Sequence, residues 1–396
     1  MSAEAYLRPK RGLASPLTGV IPEEVRQTWF YKFLLFPVGQ MIIFIVGASA
    51  VLTLLAYLVA LLVPEPRPGI VLADQISRQL PGMIISGITI GFVYSMVALG
   101  YTLVYGVLKF INFAHSEIFM VGAVTGYEIM LRIQEAGLLQ QMSPFMLVPT
   151  LVIGSGLLAG LLAVLIERVA YRPLRGAPRL VPLITAIGLS FVLQDVVRAF
   201  FSLTRNAFNL TYPLNNLEWL RAPVRLTFGE ANVNVRVTSI LIVVSAVIML
   251  VALNYFVNGT KWGRAIRATS QDQTMAGLLG INVNLMISLT FFLGGSLGGA
   301  SGALYGLNIG TVTPYVGFIP GLKAFTAAVL GGIGNLTGAL LGGLTLGIIE
   351  SFLNGILVYF PALGTRYTDI FTFSILILIL IFRPSGLLGE KVDEKV

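Results

Sequence analysis

The sequence predicts an all-α protein, a polytopic bundle of transmembrane helices, and its composition carries that prediction. Of the 396 residues, 56% are hydrophobic and only 11% are charged, whereas soluble domains carry about 25% charged residues. The apolar runs are long enough for helices of about 20 residues, which span a bilayer core about 30 Å thick. The 43 glycines suit such a bundle, because small residues let spanning helices approach closely.

Composition also excludes several classes of function. The chain has no cysteine and a single histidine, His115, so disulfides, thiol chemistry and a zinc site are not expected. It lacks the phosphate-binding motif GxxxxGK[ST] and shows no Ser/His/Asp arrangement. We therefore expect no cofactor and no catalytic activity in this chain. The net charge of +8 is interpreted as a topology signal in a lipid-embedded protein rather than as a nucleic-acid surface.

Apolar segments follow one another along the chain and predict about ten spans. The first comes after a polar N-terminus, and Pro64, Pro66 and Pro68 end it because proline cannot continue a helix. The eighth is short and flanked by helix breakers, which indicates a broken or re-entrant helix. The segments are Leu34–Val63, Gln79–Leu108, Ile118–Leu131, Phe145–Tyr171, Leu180–Phe201, Ser239–Val257, Leu285–Ile309, Gly321–Gly332, Leu336–Phe360 and Asp369–Phe382.

The distribution of lysine and arginine predicts the orientation. With both termini in the cytoplasm, the cytoplasmic side carries twice as many Lys and Arg residues as the outer side, which fits the positive-inside rule. The polar stretch Ser202–Val237, whose alternating part indicates a hairpin, then lies outside, and the polar insert Gly263–Ile281 lies in the cytoplasm. We expect a multi-pass protein of a bacterial-type inner membrane. Its even number of spans requires Gly321–Gly332 to cross fully.

The insert has the features of a docking element. Arg264 and Arg267 lie three residues apart and share a helix face, and an apolar ridge with small residues follows. Such a helix would seat in a cleft of a cytoplasmic ATPase, with the arginines facing lipid phosphate or the partner. An ordinary amphipathic loop explains the pattern equally well. The candidate docking residues are Arg264, Arg267, Gln271, Asp272, Met275, Ala276, Gly277, Gly280 and Ile281.

Two other segments place polar residues and helix breakers in apolar surroundings. The break Ile111–Glu117 (INFAHSE) and the segment Pro314–Asn335 must be enclosed or interfacial, because lipid does not tolerate irregular backbone. We expect them to meet and frame a solute path. The alternatives are helix capping near the cytoplasmic surface for the break and, favoured for Lys323, snorkelling to the outer interface. The candidate path residues are Asn112, Phe113, His115, Ser116, Glu117, Lys323 and Asn335.

Several stretches resemble one known family. From about Leu80 to the C-terminus, the chain is similar to the LivH-type inner-membrane permeases of the branched-chain amino-acid ABC importers. The most specific parts are KAFTAAVLGGIGN and the tail FRPSGLLG. The other stretches are LGYTLVYGVLKFINFAHSEIFMVGA, RLVPLITAIGLSFVLQD and GRAIRATSQDQTMAGLLGINVNLMISLTFFLGG.

The resemblance implies roles for two segments. Arg264–Ile281 falls where the family's ATPase-docking loop lies, and INFAHSE falls on an INFAHGE-like break, with Ser116 where glycine is common. Residues 1–77, with their additional span, have no counterpart in the short permeases of the family. We therefore divide the chain into an N-terminal extension, 1–77, and a permease domain, 78–396.

The resemblance also implies a function and partners. The chain would be a permease subunit that moves leucine, isoleucine and valine. It would work with a second permease subunit, two cytoplasmic ATPases that hold ATP and magnesium, and an extracytoplasmic solute-binding protein. One alternative is a permease of the same superfamily for urea, amides or other neutral or polar amino acids. Another is a stand-alone secondary transporter or channel, which would need no docking insert and no ATPase.

The predicted topology can be tested by thiol labelling, because the chain has no native cysteine. In intact cells, cysteine in place of Asn216 should react with an impermeant thiol reagent, since the Ser202–Val237 stretch is expected outside. Cysteine in place of Ser270, in the insert, should react only after the membrane is opened. The reverse pattern would invert the topology.

Overall fold

The computed structural model describes residues 36–178, 180–214, 217–221, 223–228, 231–360, 364–383 and 385–388. This part of the chain is mainly helical, which confirms the predicted fold class. The helices are α1 (Phe36–Leu62), α2 (Leu72–Leu108), α3 (His115–Glu135), α4 (Pro144–Ile166), α5 (Leu180–Arg205), α6 (Glu218–Arg221), α7 (Val237–Gly259), α8 (Lys261–Gln271), α9 (Gln273–Leu278), α10 (Val283–Ile309), α11 (Phe318–Gly331), α12 (Leu336–Leu357) and α13 (Thr368–Phe382).

Four short strands form two small antiparallel sheets. The strands are β1 (Leu210–Thr211), β2 (Pro223–Phe228), β3 (Ala231–Arg236) and β4 (Thr311–Val312). β1 pairs with β4, and β2 pairs with β3 in register from Pro223 opposite Arg236 to Phe228 opposite Ala231. The hairpin predicted from the alternating sequence is therefore confirmed. Asn216 lies outside the described residues.

Eight of the described helices are long and apolar enough to cross a membrane, so the protein is a multi-pass membrane protein. They are α1, α2, α4, α5, α7, α10, α12 and α13. Two other predicted segments correspond to α3, which carries Glu128, Arg132 and Glu135 towards its end, and to α11, which has only 14 residues. A broken or re-entrant helix was expected at the eighth segment, which corresponds to the short α11, whereas α3 is continuous over 21 residues.

Small polar side chains set where several helices begin. Asp272 caps α9 by accepting hydrogen bonds from the backbone N–H groups of Thr274 and Met275, at 2.8 and 3.0 Å. Asn282 and Asn335 accept in the same way at the starts of α10 and α12. These side chains satisfy amides that have no partner within the helix. The capping residues therefore fix the boundaries of the polar insert and of the segment before α12.

The bundle has two recognisable ends. We call the end that carries β2 and β3 the hairpin end, and the end that carries α8 and α9 the docking end. The first residues of α1 lie beside Asn254 and Leu336, at the docking end. Leu388, the last of the described residues, also lies there, because its backbone N–H donates to the carbonyl of Gly331 at 3.1 Å. Both ends of the described chain are thus on one side, which requires an even number of crossings.

The short segment around α11 does cross the bundle. β4 pairs with β1 at the hairpin end, and α11 then runs antiparallel to α12 until Gly331 lies against Gly338 at the docking end. Residues 313–317 cover the first part of the crossing as irregular backbone, and the helix covers the rest. The parity argument from the sequence therefore holds, although the crossing is only partly helical.

Helix α10 packs in the middle of the bundle against α2, α3 and α4. A methyl group at Gly299 would overlap Ala159 and lie 2.7 Å from the carbonyl oxygen of Ser155. On the opposite side, a methyl group at Gly122 would overlap the backbone of Gly299. Three helices can pack this closely only because no side chain stands between them.

Helix α1 lies at the edge of the bundle. Most of it is exposed, with Leu54, Leu61 and Leu62 more than 70% accessible, as expected for a helix that faces lipid. It packs on α2 and α12. The additional span predicted at Leu34–Val63 is therefore confirmed as a helix, while the separation of 1–77 from the permease domain stays a prediction.

The close packing of α10 leads to a stability prediction. The substitution Gly299→Ala should destabilise the fold by about 1–3 kcal/mol, because the methyl group overlaps α4. Gly188→Ala in α5 is the matched control, since nothing lies within 4 Å of its added methyl group, and helix propensity then favours alanine. The midpoint of thermal unfolding in detergent should fall for the first variant only. Equal midpoints would show that α10 does not need the glycine.

Candidate functional site

The break between α2 and α3 lies inside the protein. α2 ends at Leu108, the φ of 57° at the next residue, Lys109, turns the chain back into the bundle, and α3 begins at His115. The His115 side chain is 1% exposed, and its ring centroid lies 4.7 Å from that of Tyr101. Gly298 of α10 adjoins the same imidazole. The capping alternative has no support at α3, because this helix begins without a side-chain capping hydrogen bond and His115 is enclosed by helices.

The two interrupted segments meet, as the sequence predicted. Gly317 and Gly321, at the start of α11, lie directly against Ser116 at the start of α3. The rings of Phe113 and Phe325 are 5.6 Å apart. A side chain on either glycine would overlap Ser116. Ser116 fits at this position because the two facing residues are glycines, which have no side chain.

The break holds several polar atoms with unmet hydrogen-bonding capacity. Asn112 accepts a 2.6 Å hydrogen bond from Tyr171, and one oxygen of Glu117 accepts from Ser190 and Gln194 at 3.1 and 2.8 Å. The remaining atoms, Asn112 Nδ2, His115 Nε2 and Glu117 Oε2, are buried and have no partner among the described residues. Buried polar atoms without partners cost free energy, so each needs a reason. A path that admits water or a polar solute would supply one.

Lys323 does not snorkel, and that expectation was wrong. Its side chain is 5% exposed, and the ammonium group lies 2.8 Å from Glu350 and 2.7 Å from Asp369. Tyr94 also donates a 3.0 Å hydrogen bond to Glu350. Two carboxylates compensate the desolvation of the cation, so it remains inside. The cluster of Lys323, Glu350 and Asp369, here called the charge triad, joins α11, α12 and α13.

Asn335 has the contacts of a helix cap. Its Oδ1 accepts from the backbone N–H of Gly338 at 3.1 Å, and its Nδ2 donates to the carbonyl of Leu388 at 2.9 Å. These contacts lie at the docking end, whereas the rest of the candidate path residues lie within the bundle. A direct role for Asn335 in a solute path stays a prediction.

The docking segment Lys261–Ile281 forms two short helices, α8 and α9, with an apolar exposed surface. Met275 is 58% exposed, and Leu278 and Leu279 are 77% and 81% exposed. Ala276 is buried and anchors α9. Gly280, with φ of 83°, ends the segment in a left-handed conformation. This shape provides a protruding apolar ridge, and its role as a docking surface stays a prediction.

The two arginines of this segment differ. Arg267 donates to the carbonyl of Val257, and at 3.0 Å to the side chain of Asn258, at the end of α7. Arg264 is exposed. Carbonyls at a helix end attract a cation, which accounts for the position of Arg267, while contact of either arginine with lipid or a partner stays a prediction. Arg267 fixes α8 to the preceding span.

Gln273 makes a contact that the sequence did not predict. Its Nε2 donates a 2.9 Å hydrogen bond to the carbonyl of Val107, in the last turn of α2. The docking segment is thus attached directly to the helix whose next residues form the break. The two residues are far apart in sequence, so neither spacing nor periodicity could have indicated the pair.

A second unforeseen cluster lies at the same end. Glu167 is fully buried and bonds Arg172 at 3.2 Å, Arg175, and Ser288 at 2.6 Å. Burial lowers the pKa of Arg175 from its ordinary value, while the charge of Glu167 acts in the opposite direction. This cluster binds the loop after α4 to the start of α10. Tyr171, in the same loop, reaches the break through Asn112.

Across the described ranges, no group of three or more His, Cys, Asp or Glu side chains could hold a metal ion. The buried acids instead bond to lysine, arginine, serine and glutamine. The arrangement is that of helices joined by a few strong polar links.

The charge triad leads to a second stability prediction. Lys323→Met should leave two carboxylates without their shared cation and lower stability by about 3–5 kcal/mol. Lys261→Met, at an exposed position on α8, is the matched control and should have little effect. Thermal unfolding of the two purified variants measures the difference. If Lys323→Met unfolds at the wild-type temperature, the triad does not support the fold.

The chain matches known proteins over most of its length. Residues 83–380 match the family model described as "Branched-chain amino acid transport system / permease component". The high-affinity branched-chain amino acid transport system permease protein BraD of Pseudomonas aeruginosa is 41% identical over 316 residues, which are 79% of this chain and 97% of the relative. The LivH proteins of Salmonella typhimurium and Escherichia coli (strain K12), with the same description, are 40% identical over 314 residues, 78% of this chain and 96% of each relative. The chain therefore belongs to the family of branched-chain amino acid transport permease components.

Proposed function

We propose that this chain is the permease subunit of an ATP-driven importer that carries leucine, isoleucine and valine across the cytoplasmic membrane. The names of its relatives support the substrate class. The observation that carries the ATP-driven mechanism is the hydrogen bond from Gln273 to Val107, because it joins an exposed docking ridge to the helix that leads into the break. The chain supplies the path, and separate ATPase subunits supply the energy.

The mechanism follows from these connections. When ATP and magnesium bring two ATPase subunits together, α9 moves with the surface in which it is seated. The hydrogen bond of Gln273 passes this movement to the last turn of α2. The break comes directly after α2 in the chain and moves with it, so the contact of Ser116 with Gly317 and Gly321 changes. The buried atoms of Asn112, His115 and Glu117 then become available to water and solute.

The proposed assembly contains other subunits. A second permease subunit, identical or homologous, would pack beside this one, and two ATPases would bind the docking ends. A solute-binding protein would deliver the amino acid at the hairpin end, where β2 and β3 lie. This arrangement places both termini in the cytoplasm, and it assigns ATP and magnesium to the partners alone. Residues 1–77 would add one lipid-facing anchor to the permease domain.

Reconstitution tests the proposal directly. The chain should be co-expressed with an ATPase pair, a second permease subunit and a solute-binding protein of a branched-chain amino-acid importer, purified, and placed in liposomes containing ATP. Uptake of labelled leucine, isoleucine and valine should require ATP and the binding protein. Uptake of urea or amides instead would point to another substrate of the superfamily. Uptake without any ATPase would contradict the importer and favour a stand-alone transporter.

The role of Gln273 gives a sharper prediction. Gln273→Glu replaces a donor by a carboxylate facing the Val107 carbonyl, so the repulsion should weaken the link. Transport per ATP hydrolysed should fall at least fivefold, while the assembly stays intact. Gln271→Glu is the matched control, because it adds the same charge to the same segment at an exposed position.

Both variants should be measured in the reconstituted assembly, with ATP hydrolysis and leucine uptake recorded together. Normal coupling in Gln273→Glu would show that the hydrogen bond does not transmit movement. An equal loss in both variants would assign the effect to charge on the docking surface instead.

A further inference from the structure

A cleft of about 760 Å³ opens at the hairpin end. The first half of α2 and the second half of α12 form two of its walls, and the end of β3 with the start of α7 forms another. Its volume falls in the range of small-molecule binding sites, about 300–1,000 Å³. The uncharged polar residues that line it include Gln79, Ser86, Thr89, Asn234, Asn308 and Asn354.

An acid of the charge triad reaches the cleft. Glu350 lines it, with 14% of the side chain exposed. One carboxylate oxygen accepts from Lys323 at 2.8 Å and the other from Tyr94 at 3.0 Å. Each carboxylate oxygen has two acceptor positions, so Glu350 can accept further donors. Two acids share one lysine in the triad, which leaves one net negative charge for a cation to neutralise.

Positive charge lies nearer the opening of the cleft. Arg78, in the second turn of α2, and Arg236, at the end of β3, both line it and are exposed. Glu350 lies deeper: its neighbour Ser351 donates to the carbonyl of Met83, five residues past Arg78, which is about 8 Å further along α2 at about 1.5 Å per residue. A simple cation would be repelled at the opening, and a simple anion would be repelled at the acid. A molecule with both charges finds an attractive group at each depth.

We propose that this cleft is a binding site for a free α-amino acid, whose ammonium group binds Glu350. The inference rests on the proposed function and deepens it, because it assigns the zwitterionic head group to particular residues. The ammonium group takes the place of Lys323 on Glu350, and Lys323 keeps its bond to Asp369. Binding is an exchange of one cation for another, so the charge attraction does not hold the solute permanently. Lys323 returns when the amino acid leaves.

Protection from labelling tests the proposal in the complete assembly. In the cysteine-free chain, Ser86→Cys places a thiol on the exposed lining of the cleft, and Ser143→Cys places one at the exposed start of α4, outside it. The rate of maleimide labelling is measured with and without saturating leucine. We expect leucine to slow labelling of Ser86→Cys at least threefold and to leave Ser143→Cys unchanged.

Glu350→Gln, added to Ser86→Cys, should abolish that protection. Glu128→Gln is the matched control, because it breaks an acid–arginine pair outside the cleft, with Arg205. A second probe needs no further substitution: 4-methylpentanoate has the side chain and carboxylate of leucine but no ammonium group. It should not protect Ser86→Cys even when Glu350 is intact.

The outcomes separate this inference from the proposed function. If leucine does not slow the labelling of Ser86→Cys, the cleft is not a binding site for the amino acid. Protection that survives Glu350→Gln, or equal protection by 4-methylpentanoate, would remove the role of Glu350. In each case, ATP-dependent leucine uptake by the wild-type assembly would still support the proposed importer function. If the wild-type assembly takes up none of the three branched-chain amino acids, the proposed function itself fails.

Discussion

The structure depends on one constraint, which is that irregular backbone within a membrane must be enclosed by protein. The chain breaks its helical pattern before α3 and again before α11, and it places the two breaks against each other. Ser116 occupies the space left by Gly317 and Gly321. The surrounding helices α2, α10 and α12 come close enough to seal this region because glycines face one another along their contacts. Close packing is therefore what permits a polar interior.

Polar links join the peripheral elements to this centre. Glu117 holds α5 through Ser190 and Gln194, and the charge triad holds α13. Glu167 holds the loop after α4 against α10. Both α5 and α13 expose large apolar side chains, so specific bonds fix their positions where apolar contact with lipid cannot. A few directional bonds between rigid helices also give discrete alternative arrangements, which a transporter requires.

Much of this architecture follows from the sequence alone. The spans, the hairpin and the meeting of the two interrupted segments were predicted, because apolar runs, alternation and helix breakers act locally. The partners of Lys323 were not predicted, because Glu350 and Asp369 lie on other helices. Whether the lysine is buried or snorkels depends on the position of these two acids. Gln273 gave no signal either, because its partner is a backbone carbonyl, which every residue carries. Features that depend on neighbouring residues can be predicted from the sequence, whereas contacts between distant helices can be identified only in the folded structure.

The central claim is that movement of the docking segment reaches the break. Spin labels on cysteines in place of Thr274, on α9 beside the docking ridge, and Tyr315, just before α11, allow their separation to be measured by pulsed electron paramagnetic resonance. Both positions are exposed, so labelling leaves the interior and the apolar ridge intact. In the reconstituted assembly, the separation should change by several ångströms when ATP is trapped, and Gln273→Glu should abolish the change. An identical separation with and without ATP would contradict the account.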